Sequence, residues 1–254
     1  MIRFVGAGPG APDLITVRGM EYLKRADVII YTGSLINPEL LKYASSDARI
    51  LNSAVMTLEE VMDVMIRAAS EGKEVVRLHT GEPSLYGAVR EQMDLLDEKQ
   101  IPYESCPGVS ACFGAASGLD VEFTLPGVSQ TLIITRLEGK TAVPDKEKMS
   151  LLASHGASMA VYLSAGMLGR LSEELMAGGF SPDTPAALVY KATWPEEKIV
   201  VCTVRTLEQA GRDSGIEKTA VVLIGDAVLP HRNYERSRLY SPDFSTGFRS
   251  ANEE

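Results

Sequence analysis

Short apolar runs alternate with amphipathic stretches through the first half of the chain. Residues 2–5 and 27–31 are near-continuous apolar runs, the pattern of strands covered on both faces of a sheet. Between them Leu14, Val17, Met20 and Leu23 recur at helical spacing and predict a helix over 14–24. Residues 38–44 read as helical and 49–51 as a short strand. Thr57, with Glu60 three residues on, predicts a capping box for a helix over 58–71 that Gly72 can close. A strand over 74–78, a helix over 84–99, a short strand over 103–105 and a small-residue helix over 110–117 follow.

The second half is less regular. Strands are predicted over 131–135, 159–164, 186–191, 198–203 and 220–224, and helices over 149–153, 167–177 and around 207–211. The 198–203 strand follows its neighbour after a short turn, which predicts a hairpin and a mixed sheet. The expected fold class is therefore α/β, with two α/β domains. Residues 1–125 form the first, with a mainly parallel sheet. Residues 126–254 form the second, with a mixed sheet and a basic-aromatic tail over 232–249.

Composition narrows the function. The 254 residues are 45% hydrophobic and carry a net charge of -9, enough for a real core and the wrong sign for a general nucleic-acid binder. Cys106, Cys112 and Cys202 lack metal spacing and read as plain thiols. Arg3, Gly6 and Pro9 interrupt any leader-like run, and no apolar stretch is long enough to span a bilayer, so the expectation is a soluble cytoplasmic protein.

Candidate chemistry sits in three turns that close predicted strands. Gly6-Ala7-Gly8-Pro9-Gly10 looks at first like a dinucleotide loop. Pro9 has no N–H to offer a phosphate, and the next strand ends Tyr31-Thr32-Gly33-Ser34 without the acid that would hold a ribose. The turn suits close backbone approach to a ligand without phosphates; the alternative is a tight strand–helix turn with no ligand. Thr80-Gly81-Glu82-Pro83-Ser84 offers a carboxylate beside hydroxyls, or else a solvated acid followed by Ser84 as a helix cap. Pro107-Gly108-Val109-Ser110-Ala111 is the third such turn.

These three turns resemble those of the tetrapyrrole methylases, which methylate corrin and sirohaem precursors with S-adenosyl-L-methionine. The similarity extends over nearly the whole chain. Residues 135–144, the run Val189-Tyr190-Lys191-Ala192-Thr193-Trp194-Pro195 and the tail around Ser237-Arg238-Leu239-Tyr240 look like the subgroup acting on carbon 11 of precorrin-4, with or without cobalt. The resemblance implies a homodimer of two α/β domains with the cofactor held between them. It implies cofactor contacts at Pro9, at Thr80, Gly81 and Glu82 mainly through backbone, and at Ser110 and Ala111. It further implies adenosine-side contacts at Leu163, Ser164, Ala187, Tyr190, Ala220 and Val221. Family members usually carry Asp where this chain has Glu82.

Methyl transfer from a sulfonium needs alignment and dryness more than a nucleophilic side chain. No catalytic residue is assigned, and His79, His155 and His231 suggest no metal cluster. His79 is either a site residue or a hydrogen-bonded structural histidine. The substrate implied carries many carboxylates, so Arg136 and Lys140 are the leading cations for it, followed by Arg77 and Lys191; solvent-facing charge is the alternative. Trp194 is a wall for the macrocycle or domain packing. Competing readings are a methylase of another ring position, a nicotinamide oxidoreductase disfavoured by Pro9, and a non-catalytic binding module.

Overall fold

The computed structural model describes residues 1–229 and 234–251. The described chain forms two compact units. The first comprises Met1–Gly118 together with Tyr190–Lys198, and the second Leu119–Val189 and residues from Ile199 onward.

The first unit is built on five strands: β1 (Ile2–Gly6), β2 (Val28–Tyr31), β3 (Arg49–Asn52), β4 (Val75–His79) and β5 (Tyr103–Cys106). They lie in the order β3-β2-β4-β1-β5, and every pairing is parallel. Parallel strands require crossover helices, and the apolar periodicity assigns them to faces. Leu23 of α1 (Val17–Arg25) packs with Val5, Ile29, Val76 and Leu78 on one face. Met62 and Met65 of α2 (Leu58–Ser70), and Leu96 of α3 (Arg90–Glu98), pack with Ile2, Phe4, Ile30 and Val75 on the other. The chain thus leaves β1 and β4, which are neighbours, toward opposite faces. That divergence makes the carboxyl ends of these two strands the switch point of the sheet, the place where ligands of open α/β sheets bind.

The second unit has the strand order β6-β7-β10-β8-β9, from β6 (Leu132–Arg136), β7 (Ser158–Tyr162), β8 (Pro185–Tyr190), β9 (Lys198–Thr203) and β10 (Ala220–Ile224). It is mixed: β6 runs parallel to β7, and β10 antiparallel to it. β8 and β9 are neighbours, as their short separation suggested. Helices α5 (Met149–Ala153), α6 (Leu168–Ala177) and α7 (Leu207–Ser214) accompany this sheet; α4 (Ala111–Gly118) belongs to the first unit.

Two helices depart from expectation. The helix expected over 14–24 begins only at Val17, because Pro12–Leu14 makes a 3-10 turn and the Thr16 hydroxyl caps Gly19 N–H. The helix expected over 84–99 begins only at Arg90. Tyr86 and Ala88 have φ of 55° and 48°, and a Cβ on Gly87 would lie 2.1 Å from the Pro83 carbonyl oxygen, so this segment is a compact turn. Ser84 therefore caps no helix. The Thr57–Glu60 capping box is present in full. Among the described residues no helix is long and apolar enough to cross a membrane. His231 and Arg232 lie outside the described residues.

Candidate functional site

Three turns meet at the carboxyl ends of β1, β4 and β5. Backbone pairing continues past the first two strands. Ala7 N–H donates to His79 O at 2.7 Å, and Gly8 and Gly81 exchange N–H···O bonds of 3.3 and 2.9 Å. Gly8 and Gly81 adopt φ of 80° and 61°, conformations that favour glycine. The approach is close enough to exclude side chains. A Cβ on Gly108 would lie 2.1 Å from the Gly81 carbonyl oxygen, and one on Gly6 would lie 2.6 Å from it. The Gly6, Gly81 and Gly108 motif positions thus form one backbone-lined floor. The donor and acceptor of Gly81 are spent on Gly8, which leaves ligand contact at this turn to neighbouring groups.

Thr80 joins the ends of β2 and β4. Its hydroxyl donates to Leu35 O at 3.1 Å and lies 3.3 Å from the Thr32 hydroxyl. Glu82 turns inward: Oε1 accepts from Ser84 N–H at 3.0 Å, and Oε2 accepts from Gly108 N–H at 2.7 Å. It is neither the solvated acid nor the ligand-facing carboxylate that its residue type suggested. Ser110 is buried just before α4, and Ala111 begins that helix.

Pro9 is buried, and the reason is a segment far away in the chain. The loop Tyr190–Lys198 belongs to the first unit, where Trp194 Nε1 donates to Pro9 O at 3.0 Å. Ala11 N–H donates to the Thr193 hydroxyl at 2.9 Å. Gly10 has no Cβ because the Trp194 indole occupies that place, and Gly114 of α4 closes against Pro9 and Thr193. Lys191 and Thr193 have φ of 47° and 67°, which is strained for a β-branched threonine and held by these contacts. Trp194 therefore packs on the first turn. Lys191 sits 4.9 Å above the Trp194 ring and 3.5 Å from the Glu196 carboxylate.

Of the other predicted cations, Arg77 is not at a strand end. It is 6% exposed in the middle of the sheet, donating to Gln92 Oε1 at 3.1 Å and Ile30 O at 3.2 Å. Burial pulls its pKa down to about 10. Gln92 in turn donates to Ala88 O, so this relay braces the compact turn from below. His79, on the same face of β4, is buried with Nε2 unpartnered among the described residues. Burial, then the Arg77 charge, holds its pKa at about 3. Among the described residues no cluster of His, Cys, Asp and Glu could hold a metal.

The second unit carries the remaining candidates. Leu163, just past β7, is exposed with φ of 54°. Ser164 is fully buried; its hydroxyl donates to Tyr162 O at 2.7 Å and accepts from Leu137 N–H at 2.9 Å. Ala187 is buried in β8, whose last residue is Tyr190; Val221 is buried in β10, whose first residue is Ala220. The Arg136 guanidinium folds back on its own loop and donates to Leu137 O, Thr141 O and Ala142 O at 3.4, 3.1 and 2.7 Å. Lys140 lies on the exposed part of that loop.

Known proteins are similar to this chain over most of its length. Cobalt-precorrin-4 C(11)-methyltransferase of Methanocaldococcus jannaschii is 48% identical over 98% of this chain and 96% of its own. Precorrin-4 C(11)-methyltransferase of a Sinorhizobium species is 38% identical over 99% of each. A solved cobalt precorrin-4 methyltransferase, described as a cobalamin biosynthetic enzyme, superposes with a TM-score of 0.88 at 45% identity, covering 90% of this chain and 96% of that one. The family model for Tetrapyrrole (Corrin/Porphyrin) Methylases matches residues 1–208. The chain belongs to the tetrapyrrole methylase family.

Proposed function

We propose that this protein is an S-adenosyl-L-methionine-dependent C-methyltransferase that methylates carbon 11 of precorrin-4 or cobalt-precorrin-4 in cobalamin biosynthesis. Its relatives' named reaction supports the substrate. The observation that carries the cofactor reading is the floor where Gly6, Gly81 and Gly108 meet, three backbones packed too closely for a side chain on Gly6 or Gly108. Such a floor lets a ligand lie against backbone, and Pro9 withholds the N–H that a diphosphate would want.

S-adenosyl-L-methionine supplies a methyl group already activated on a sulfonium, with a neutral thioether as leaving group. What remains for the protein is alignment and exclusion of water. Thr80 and Glu82, on either side of Gly81, and the pair Ser110 and Ala111 contact the cofactor mainly through backbone, beside Pro9; Gly81 serves by keeping its turn against Gly8. Leu163, Ser164, Ala187, Tyr190, Ala220 and Val221 serve its adenosine side. Arg136, Lys140 and Lys191 meet the substrate's carboxylates. Arg77 is committed inside the first unit and is left out of that set. The enzyme acts as a cytoplasmic homodimer.

Calorimetry tests the cofactor reading. S-adenosylhomocysteine binds and NADH does not. Binding of NADH in preference, or of neither compound, contradicts it. Light scattering that returns the mass of one chain contradicts the dimer.

A further inference from the structure

Two aromatic side chains of the first unit are exposed among the described residues, Tyr86 at 44% and Phe113 at 51%. Its other phenylalanine, tyrosine and tryptophan residues are half-buried or buried. Both exposed rings stand in segments that leave strands at the site end. Tyr86 follows β4 by way of Thr80, Gly81 and Glu82, and Phe113 lies in the first turn of α4, after β5 and the turn at Gly108. β1 is the neighbour of both strands, and its own turn meets theirs at the glycine floor.

Tyr86 is held in place at a cost. Its φ of 55° and the 48° of Ala88 lie in the left-handed region that side chains avoid. Arg77, buried in the sheet, gives its hydrogen bonds to Gln92 Oε1 and Ile30 O rather than to a carboxylate, and Gln92 holds Ala88 O. A buried cation without a counter-charge is itself unfavourable. Strained backbone braced by a costly buried group is the pattern of a segment kept for what it presents. This turn presents a tyrosine ring. An adenosyl cofactor held through backbone groups does not call for it. A tetrapyrrole does, because it has a broad apolar face edged with carboxylates, and tyrosine joins an apolar ring to a polar tip.

We propose that Tyr86 and Phe113 are substrate-binding residues whose rings take the apolar face of the tetrapyrrole macrocycle. The proposal deepens the function proposed above and rests on it for the identity of the ligand.

Glycine adopts a φ of 55° without strain, so Tyr86→Gly removes the ring and leaves the turn its shape. Phe113→Ala trims the second ring from an exposed helical position. With cobalt-precorrin-4 as substrate, each raises the KM for the macrocycle at least about tenfold, as expected for loss of a stacked aromatic face. Tyr86→Phe recovers most of that loss. In all three variants kcat changes less than KM, calorimetry returns the parent's affinity for S-adenosylhomocysteine, and light scattering returns the parent's mass. An unchanged macrocycle KM in either ring-deleting variant overturns the proposal. So does a matching fall in S-adenosylhomocysteine affinity, which would put the rings on the cofactor, or a fall in mass, which would put them on a second copy of this chain. If the parent adds no methyl group to carbon 11, absorption titration with uroporphyrin III, a stable polycarboxylate macrocycle, decides instead. Binding at least about tenfold weaker in Tyr86→Gly than in the parent keeps the aromatic site and discards only the carbon-11 reading. Equal binding in the two, or none by the parent, discards both.

Discussion

His79 shows how burial turns a familiar residue into a cost. Its Nε2 has no partner among the described residues, and burial with the nearby Arg77 charge lowers its pKa from 6.5 to about 3. Between those two values the unfolded chain binds a proton that the folded chain refuses. Stability therefore falls as pH falls through this window, by up to about 1.4 kcal/mol per pH unit. His79→Leu removes the orphaned nitrogen and should flatten urea-midpoint curves between about pH 6 and 4 relative to the parent. Equal slopes in the two proteins would show that His79 is not the group responsible. The sequence could reveal which residues bear charge or hydroxyls, but not where those groups point. Glu82 and Arg77 looked ligand-facing by type, and both spend their polar atoms on the protein's own groups. Glu82 meets Gly108 only because the fold brings two turns together, a relation that no local pattern encodes.

Elements were legible where the signal is local. β9 and β10 run over the residues the apolar runs predict, and the Thr57 capping box sits where its spacing places it. Thr57→Ala should destabilise the protein by about 1 kcal/mol in denaturant titration, the usual worth of such a cap. No change would mean that α2 is held by its packing alone. The late start of α3 was missed because a single glycine, Gly87, is tolerated inside a helical pattern and does not by itself mark a turn. Positive φ at Tyr86 and Ala88 is imposed by the tight return to Pro83 and by the Arg77–Gln92 relay beneath it. The glycine floor makes a sharper prediction. Gly108→Ala puts a methyl group where the Gly81 carbonyl oxygen already lies, and should cost about 1–3 kcal/mol of stability by overpacking. Its affinity for S-adenosylhomocysteine should fall together with that stability. A variant with full stability and full affinity would show that the floor tolerates what its geometry forbids.

At the scale of the molecule, the parallel and mixed sheets were readable from strand–helix alternation and its breakdown in the second half. The membership of Tyr190–Lys198 in the first unit was not, because it depends on Trp194 and Thr193 meeting a turn encoded at the other end of the chain. Trp194→Phe keeps a ring on Gly10 but removes the donor to Pro9, and should cost about 1 kcal/mol. The proposed substrate cations belong to this scale too, since the ligand assigned to them is larger than any single turn. Arg136→Ala should raise the KM for the macrocycle more than it weakens cofactor binding; the reverse pattern in steady-state kinetics would assign Arg136 to the other ligand. The most direct test of the whole account is carbon-13 NMR of the product formed from cobalt-precorrin-4 and S-adenosylmethionine labelled in its methyl group. The account predicts one new labelled methyl, attached to carbon 11. Label at another ring position, or an unlabelled macrocycle after cofactor has bound, would contradict it.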